Sequence, residues 1–106
     1  MFNFESPEPE LLKGILQPLL EDFQYWFERS RYLLETQEIE SLGTEGQADL
    51  LARLIQAQQE VSAAQLLVKV TDGKAGVDTA VLMPWHKLVT ECWQVALRHR
   101  LDHPID

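Results

Sequence analysis

Leu16-Gln17-Pro18-Leu19-Leu20-Glu21-Asp22-Phe23-Gln24-Tyr25-Trp26-Phe27-Glu28-Arg29-Ser30-Arg31-Tyr32-Leu33-Leu34 decides the fold. Beginning at Leu12, the positions Leu12, Leu16, Leu19, Phe23, Trp26, Ser30 and Leu33 recur at alternating intervals of four and three, and Ile15, Leu20, Phe27 and Leu34 widen the stripe. Residues three and four apart are neighbours on one face of an α-helix, so the pattern predicts an amphipathic helix. Ser6-Pro7-Glu8-Pro9-Glu10 supplies its start: a Ser cap, prolines that cost nothing in a first turn, and acids at the positive helix end. The predicted span is about 7–37, roughly 45 Å at 1.5 Å per residue. Pro18 removes one donor and crowds the carbonyl of Gly14. A kink and not a stop is expected there, because the stripe keeps its phase on both sides.

Working outward, Gly43 and its polar neighbours separate this helix from a second, predicted over 45–71. Thr44 and Gln47 have the spacing of a capping box, and Leu50, Leu51, Leu54, Ile55, Ala57, Val61, Ala64 and Val68 form the apolar face. Gly73 offers the left-handed residue that ends helices. Small alanines among Gln56, Gln58, Gln59 and Gln65 allow a close, coiled-coil-like helix contact. Gly73–Asp78 reads as a turn, Asp78 or Thr79 caps a short helical lead-in, and a third helix is predicted over 84–101 with Pro84 in its first turn. Its inward face is Trp85, Leu88, Val89, Cys92, Val95, Ala96 and His99. No period-two segment competes, so the fold class is all-α: a single-domain antiparallel three-helix bundle over 1–106 with a long kinked first helix. A chain of 106 residues packs to a radius of gyration of about 13 Å. A 45 Å helix overhangs such a core, so either Pro18 folds it back or a second subunit covers it, and a homodimer is expected.

Residues left over by the core define the candidate site. At 100° per residue, Phe23 and Phe27 share the core face while Tyr25 points nearly opposite, and Tyr32 lies seven residues further on the same outward side. Tyr25, Trp26 and Tyr32, with Glu21, Asp22, Glu28 and Arg29 around them and Trp93 on the third helix, are the expected partner interface, since tyrosine and tryptophan are favoured binding anchors. No catalytic residue is predicted. Cys92 shares a face with buried Trp85, and His86, six residues before it, lies on a different face. His99 and His103 have an i, i+4 spacing that can hold a metal, but a third ligand is not evident, so no metal and no cofactor are predicted. Phosphate loops, paired zinc ligands and nucleophile elbows are absent from the sequence.

The formal net charge is −8, and it belongs to the first half: positions 1–60 carry twelve acids against four bases, while 61–106 carry five of each. Direct binding of nucleic acid, which needs a basic stripe, is excluded by this balance. A protein partner with a basic surface fits it, and an alternative function is that of an acidic regulator or inhibitor of a nucleic-acid-processing enzyme such as a ribonuclease. A second alternative is a small apolar ligand or pigment held near Trp26, Trp85 and Trp93. The single cysteine suits a reducing compartment, the N-terminus lacks a secretory pattern, and no apolar run approaches the ~20 residues that span a bilayer, so a cytoplasmic location is expected.

Leu19-Leu20-Glu21-Asp22-Phe23-Gln24-Tyr25-Trp26-Phe27-Glu28-Arg29-Ser30, together with Val81-Leu82-Met83-Pro84-Trp85-His86-Lys87-Leu88-Val89-Thr90-Glu91-Cys92-Trp93, resembles a family of small uncharacterised cyanobacterial proteins. The resemblance covers almost the whole chain and implies a cytoplasmic protein of a photosynthetic bacterium. The family is a domain of unknown function, so the resemblance implies no catalytic residue. The leading expectation is a non-enzymatic protein–protein interaction module or regulatory adaptor.

Overall fold

Three helices, α1 (Pro9–Thr36), α2 (Gly43–Val70) and α3 (Thr79–Asp102), account for nearly all of residues 9–74 and 77–103, which the computed structural model describes. The expected Ser6 cap and the terminating Pro104 lie outside the described residues. The helices run up, down and up. Gln24 of α1 meets Ser62 of α2, whereas Arg31 meets Gln58, so these two are antiparallel. Arg53 and Glu60 of α2 meet Glu91 and Trp85 of α3 in the same opposed sense. α1 packs against both other helices and makes its more extensive contact with α2.

The core follows the stripe. Leu16, Leu20, Phe23, Phe27 and Leu34 of α1 are buried against Leu50, Leu54, Ala57, Val61 and Val68 of α2 and Trp85, Leu88, Val89 and Cys92 of α3. Among the described residues no polar or charged residue is buried with them. Small Ala57 and Ala64 let α2 approach α1, and beside them the Gln24 amide nitrogen lies 3.1 Å from the Gln58 carbonyl oxygen and 2.9 Å from Ser62 Oγ. The glutamines of α2 thus serve as a polar rail along the α1–α2 seam. Between α2 and α3 the rail is ionic: Arg53 donates to both Glu91 oxygens, at 3.1 and 2.6 Å, and to Asp49 at 2.9 Å. The Glu91 hydrogen bond is the main reason that the guanidinium pKa lies above its ordinary value.

Several sequence expectations about helix ends need correction. α3 begins at Thr79, not Pro84: Asp78 caps it by accepting from the Ala80 N–H at 2.9 Å, and Pro84 sits inside the helix. The capped first turn and the partly buried Leu82 carry the helix past the proline, which forfeits one backbone donor. The anticipated lead-in and third helix are therefore one element. α2 begins at Gly43 (φ +71°) with Leu42 as its cap and no capping box; Gln47 reaches back to the end of α1 instead. At the other end of α2 the left-handed residue directly after Thr71 is Asp72 (φ 54°), followed by Gly73 (φ 83°). Gly73 N–H donates to Val68 O at 2.9 Å and Asp72 N–H to Lys69 O at 3.3 Å, closing the helix. Ile15, expected to widen the buried stripe, is exposed.

α1 continues through Pro18 as one helix of 28 residues. The molecule measures 57 × 23 × 22 Å, with a radius of gyration of 16.8 Å, above the about 13 Å of a compact chain of this length. α2 is also 28 residues long and runs antiparallel beside α1, so the elongation is that of the whole bundle and the expected overhang of α1 past its core is not seen.

Candidate partner-binding face between α1 and α3

α1 is enclosed by α2 on one flank and α3 on the other, and a third sector of it stays open. Tyr25, Trp26 and Tyr32 lie there, 52%, 36% and 68% exposed, joined by Trp93 of α3 at 48%. Their placement follows from helical phase, because Phe23 and Phe27 take the core positions and leave the residues between them outside. Tyr25 and Trp26 meet edge to face with ring centroids 5.1 Å apart, and Trp26 meets Trp93 at 5.3 Å in the same manner. Such pairs contribute about 0.5–1.5 kcal/mol beyond area burial. The result is one aromatic ridge that crosses from α1 to α3.

A hollow lies on each side of the Trp26–Trp93 pair. Toward the start of α1 a small one is framed by Leu19, Asp22 and His86. Toward the C-terminal end of α3 a groove of about 1200 Å³ opens, framed by Arg29, Tyr32 and Leu33 of α1 and by Ala96, His99 and Arg100 of α3. Arg29 is fixed on this face: it donates to Tyr25 Oη at 2.9 Å and its guanidinium lies 5.6 Å from the centre of the Tyr25 ring. His99 and His103 are adjacent, with ring centroids 4.4 Å apart, and His99 Nδ1 is buried with no hydrogen-bond partner. Among the described residues no three His, Cys, Asp or Glu side chains gather as a metal site.

Cys92 lies at the floor of the groove and is buried. Burial pushes its thiol pKa up, and a hydrogen bond with Ser30 opposes this only in part. A raised pKa holds the sulfur as an unreactive thiol, the reverse of what a nucleophile needs.

The eight residues expected to form the interface separate into two groups. Tyr25, Trp26, Arg29, Tyr32 and Trp93 adjoin one another, and Asp22 completes the ridge on its smaller side. Glu28 borders the groove but its carboxylate is engaged with α2, Oε2 accepting from Gln58 Nε2 at 2.9 Å, and Glu21 is exposed. Of the three tryptophans, Trp85 is in the core, edge-on to Phe23 at 5.6 Å, with its Nε1 donating to Glu60 at 2.9 Å. Arg100 and His99 were not among the expected interface residues. The signal for Arg100 in the sequence is a period of seven, His86-Trp93-Arg100, that runs along α3 beside its apolar face, whereas His99 was expected on that apolar face.

The model of a family described as "Protein of unknown function (DUF2605)" matches residues 6–101. The chain belongs to the DUF2605 family. The matched span includes all of α1, α2 and the ridge on α3, so the face described here lies within the family domain. Neither the curated proteins nor the solved structures contain a match to the chain. Among the described residues of this DUF2605 member, no helix is long and apolar enough to cross a membrane.

Proposed function

We propose that the protein is a non-enzymatic interaction module of the cytoplasm, an adaptor that self-associates and receives a protein on its α1–α3 face. The observation that carries this is the ridge itself: Tyr25 and Trp93 each meet Trp26 edge to face, yet all three stay 36–52% exposed, beside a groove of about 1200 Å³. Exposed aromatics held rigid by their neighbours lose little entropy on binding, which is why they serve as anchors. The groove carries Arg29 and Arg100, so the basic partner suggested by the overall charge would meet the acids of α1 and α2 instead.

Tyr32→Ala and Trp93→Ala test the role. Both residues are exposed, so the helical circular dichroism of each variant should match the parent protein. The tagged protein is recovered from the cells that produce it, and lysine- and acid-directed cross-links locate each companion on its surface. The expected result is a stoichiometric protein cross-linked along α1 and α3 and lost with either variant. A companion retained by both variants would refute the assignment of this face. A small apolar ligand also has the groove volume in its favour, and a co-purifying absorbance or mass in place of a protein would decide for it.

A further inference from the structure

We propose that the resident of this face is a second copy of the chain, related by a two-fold axis that crosses α1 between Tyr25 and Trp26; this rests on the docking role proposed for the α1–α3 face. An interface between identical chains must be self-complementary, so that whatever lies on one side of the axis meets its match on the other. α1 has that property. Asp22 and Arg29 are two helical turns apart, about 10 Å, on one exposed row, with Tyr25 and Trp26 between them. Laying two copies of α1 antiparallel about the midpoint brings residue 22 opposite 29, 25 opposite 26 and 19 opposite 32, each pairing made twice.

Other registers lack this match. A shift that opposes Asp22 to itself, or Arg29 to itself, places like charges together at the axis. A shift of one turn sets Asp22 against Leu33, or Arg29 against Pro18, and leaves the charges without ionic partners. Asp22 has no ionic partner among the described residues, and Arg29 is committed only to Tyr25 Oη, which leaves N–H groups of its guanidinium for a carboxylate.

α1 has neighbours on two sides and aromatic residues on the third. A second copy on that side makes an antiparallel α1–α1 seam with an α3 at each flank. Any protein that uses the ridge then competes with self-association.

A charge exchange tests both the occupant and the register. The parent chain is expected to sediment and scatter light as a dimer, twice 12.2 kDa. Asp22→Arg alone and Arg29→Asp alone each oppose like charges at both symmetric positions, and dimer affinity should fall at least tenfold, less so in high salt. An equimolar mixture of the two variants should recover the dimer, because every pairing in the mixed dimer is again between opposite charges. The chain carrying both substitutions should recover it for the same reason. A parent chain that stays monomeric at about 100 μM would overturn the second copy, as would variants that dimerise like the parent or a mixture that does not recover. The docking role stands or falls separately, on whether Tyr32→Ala and Trp93→Ala lose a captured protein.

Discussion

Gln47 is the side chain whose removal should cost most for its size. Its Nε2 donates to the carbonyl oxygens of Leu34 and Gln37, each at 2.7 Å, and its Oε1 accepts from the Ile39 N–H at 2.9 Å. One amide thereby satisfies the unpaired carbonyls at the end of α1 and fixes the turn that buries Ile39, which is 1% exposed. Each such bond is worth about 1 kcal/mol net, and a stranded, partly buried group costs about 1–3 kcal/mol. The Gln37 carbonyl lies where water can replace the lost donor, so Gln47→Ala should destabilise the fold by about 2–3 kcal/mol, or roughly 10–20 °C in Tm for a chain of this size. Urea denaturation measures the first figure and a thermal melt the second. Gln47→Glu adds a signature. It presents an anionic carboxylate to two carbonyl oxygens, so its folded-state pKa lies above the unfolded value of about 4.3. The protonated form is then favoured by folding, and the variant recovers stability as pH falls toward 4 and loses it as pH rises. A Gln47→Ala variant within about 0.5 kcal/mol of the parent would refute the view that this amide closes α1.

Two further perturbations follow from the same structure. Arg53 and Glu91 are each about half exposed, so a double-mutant cycle of Arg53→Ala and Glu91→Ala should give a coupling of only about 0.5–1 kcal/mol, diminished in 1 M salt; a coupling insensitive to salt would contradict it. Burial raises the Cys92 pKa, so the thiol should resist a thiol-directed reagent until the protein unfolds. Folding favours the protonated thiol, so this group's stabilising contribution is present below the unfolded pKa of about 8.5 and declines as pH rises beyond it. Cys92→Ala should flatten that alkaline decline, and equal slopes for both proteins would refute the assignment to Cys92.

Much of the fold was legible from periodicity. The Leu16–Leu34 stripe and the Leu50–Val68 stripe were read as buried faces, and most of their members are buried, because a helix that must hide apolar surface repeats it every 3.6 residues. The outward placement of Tyr25 and Tyr32 followed from the same arithmetic. Helix ends were less legible. A Thr and a Gln three apart suit a capping box, but Gln47 finds three backbone partners across the turn and leaves Thr44 without that role. Pro84 suits a first turn, yet Asp78 starts the helix before it. Local signals of this kind compete with contacts that exist only once the chain is folded.

The amphipathic order of the residues determined the class, the number of helices and which side chains each one hides. Tertiary structure alone decided which exposed residues share a face. Trp26 and Trp93 are far apart in sequence, and their contact depends on how α3 lies along α1. Asp22 and Arg29 stand on either side of that contact because α2 and α3 cover two sides of α1 and leave the third open. The physical reason is that periodicity fixes a direction around one helix axis, whereas a binding face is made by the relative positions of two axes, which packing sets.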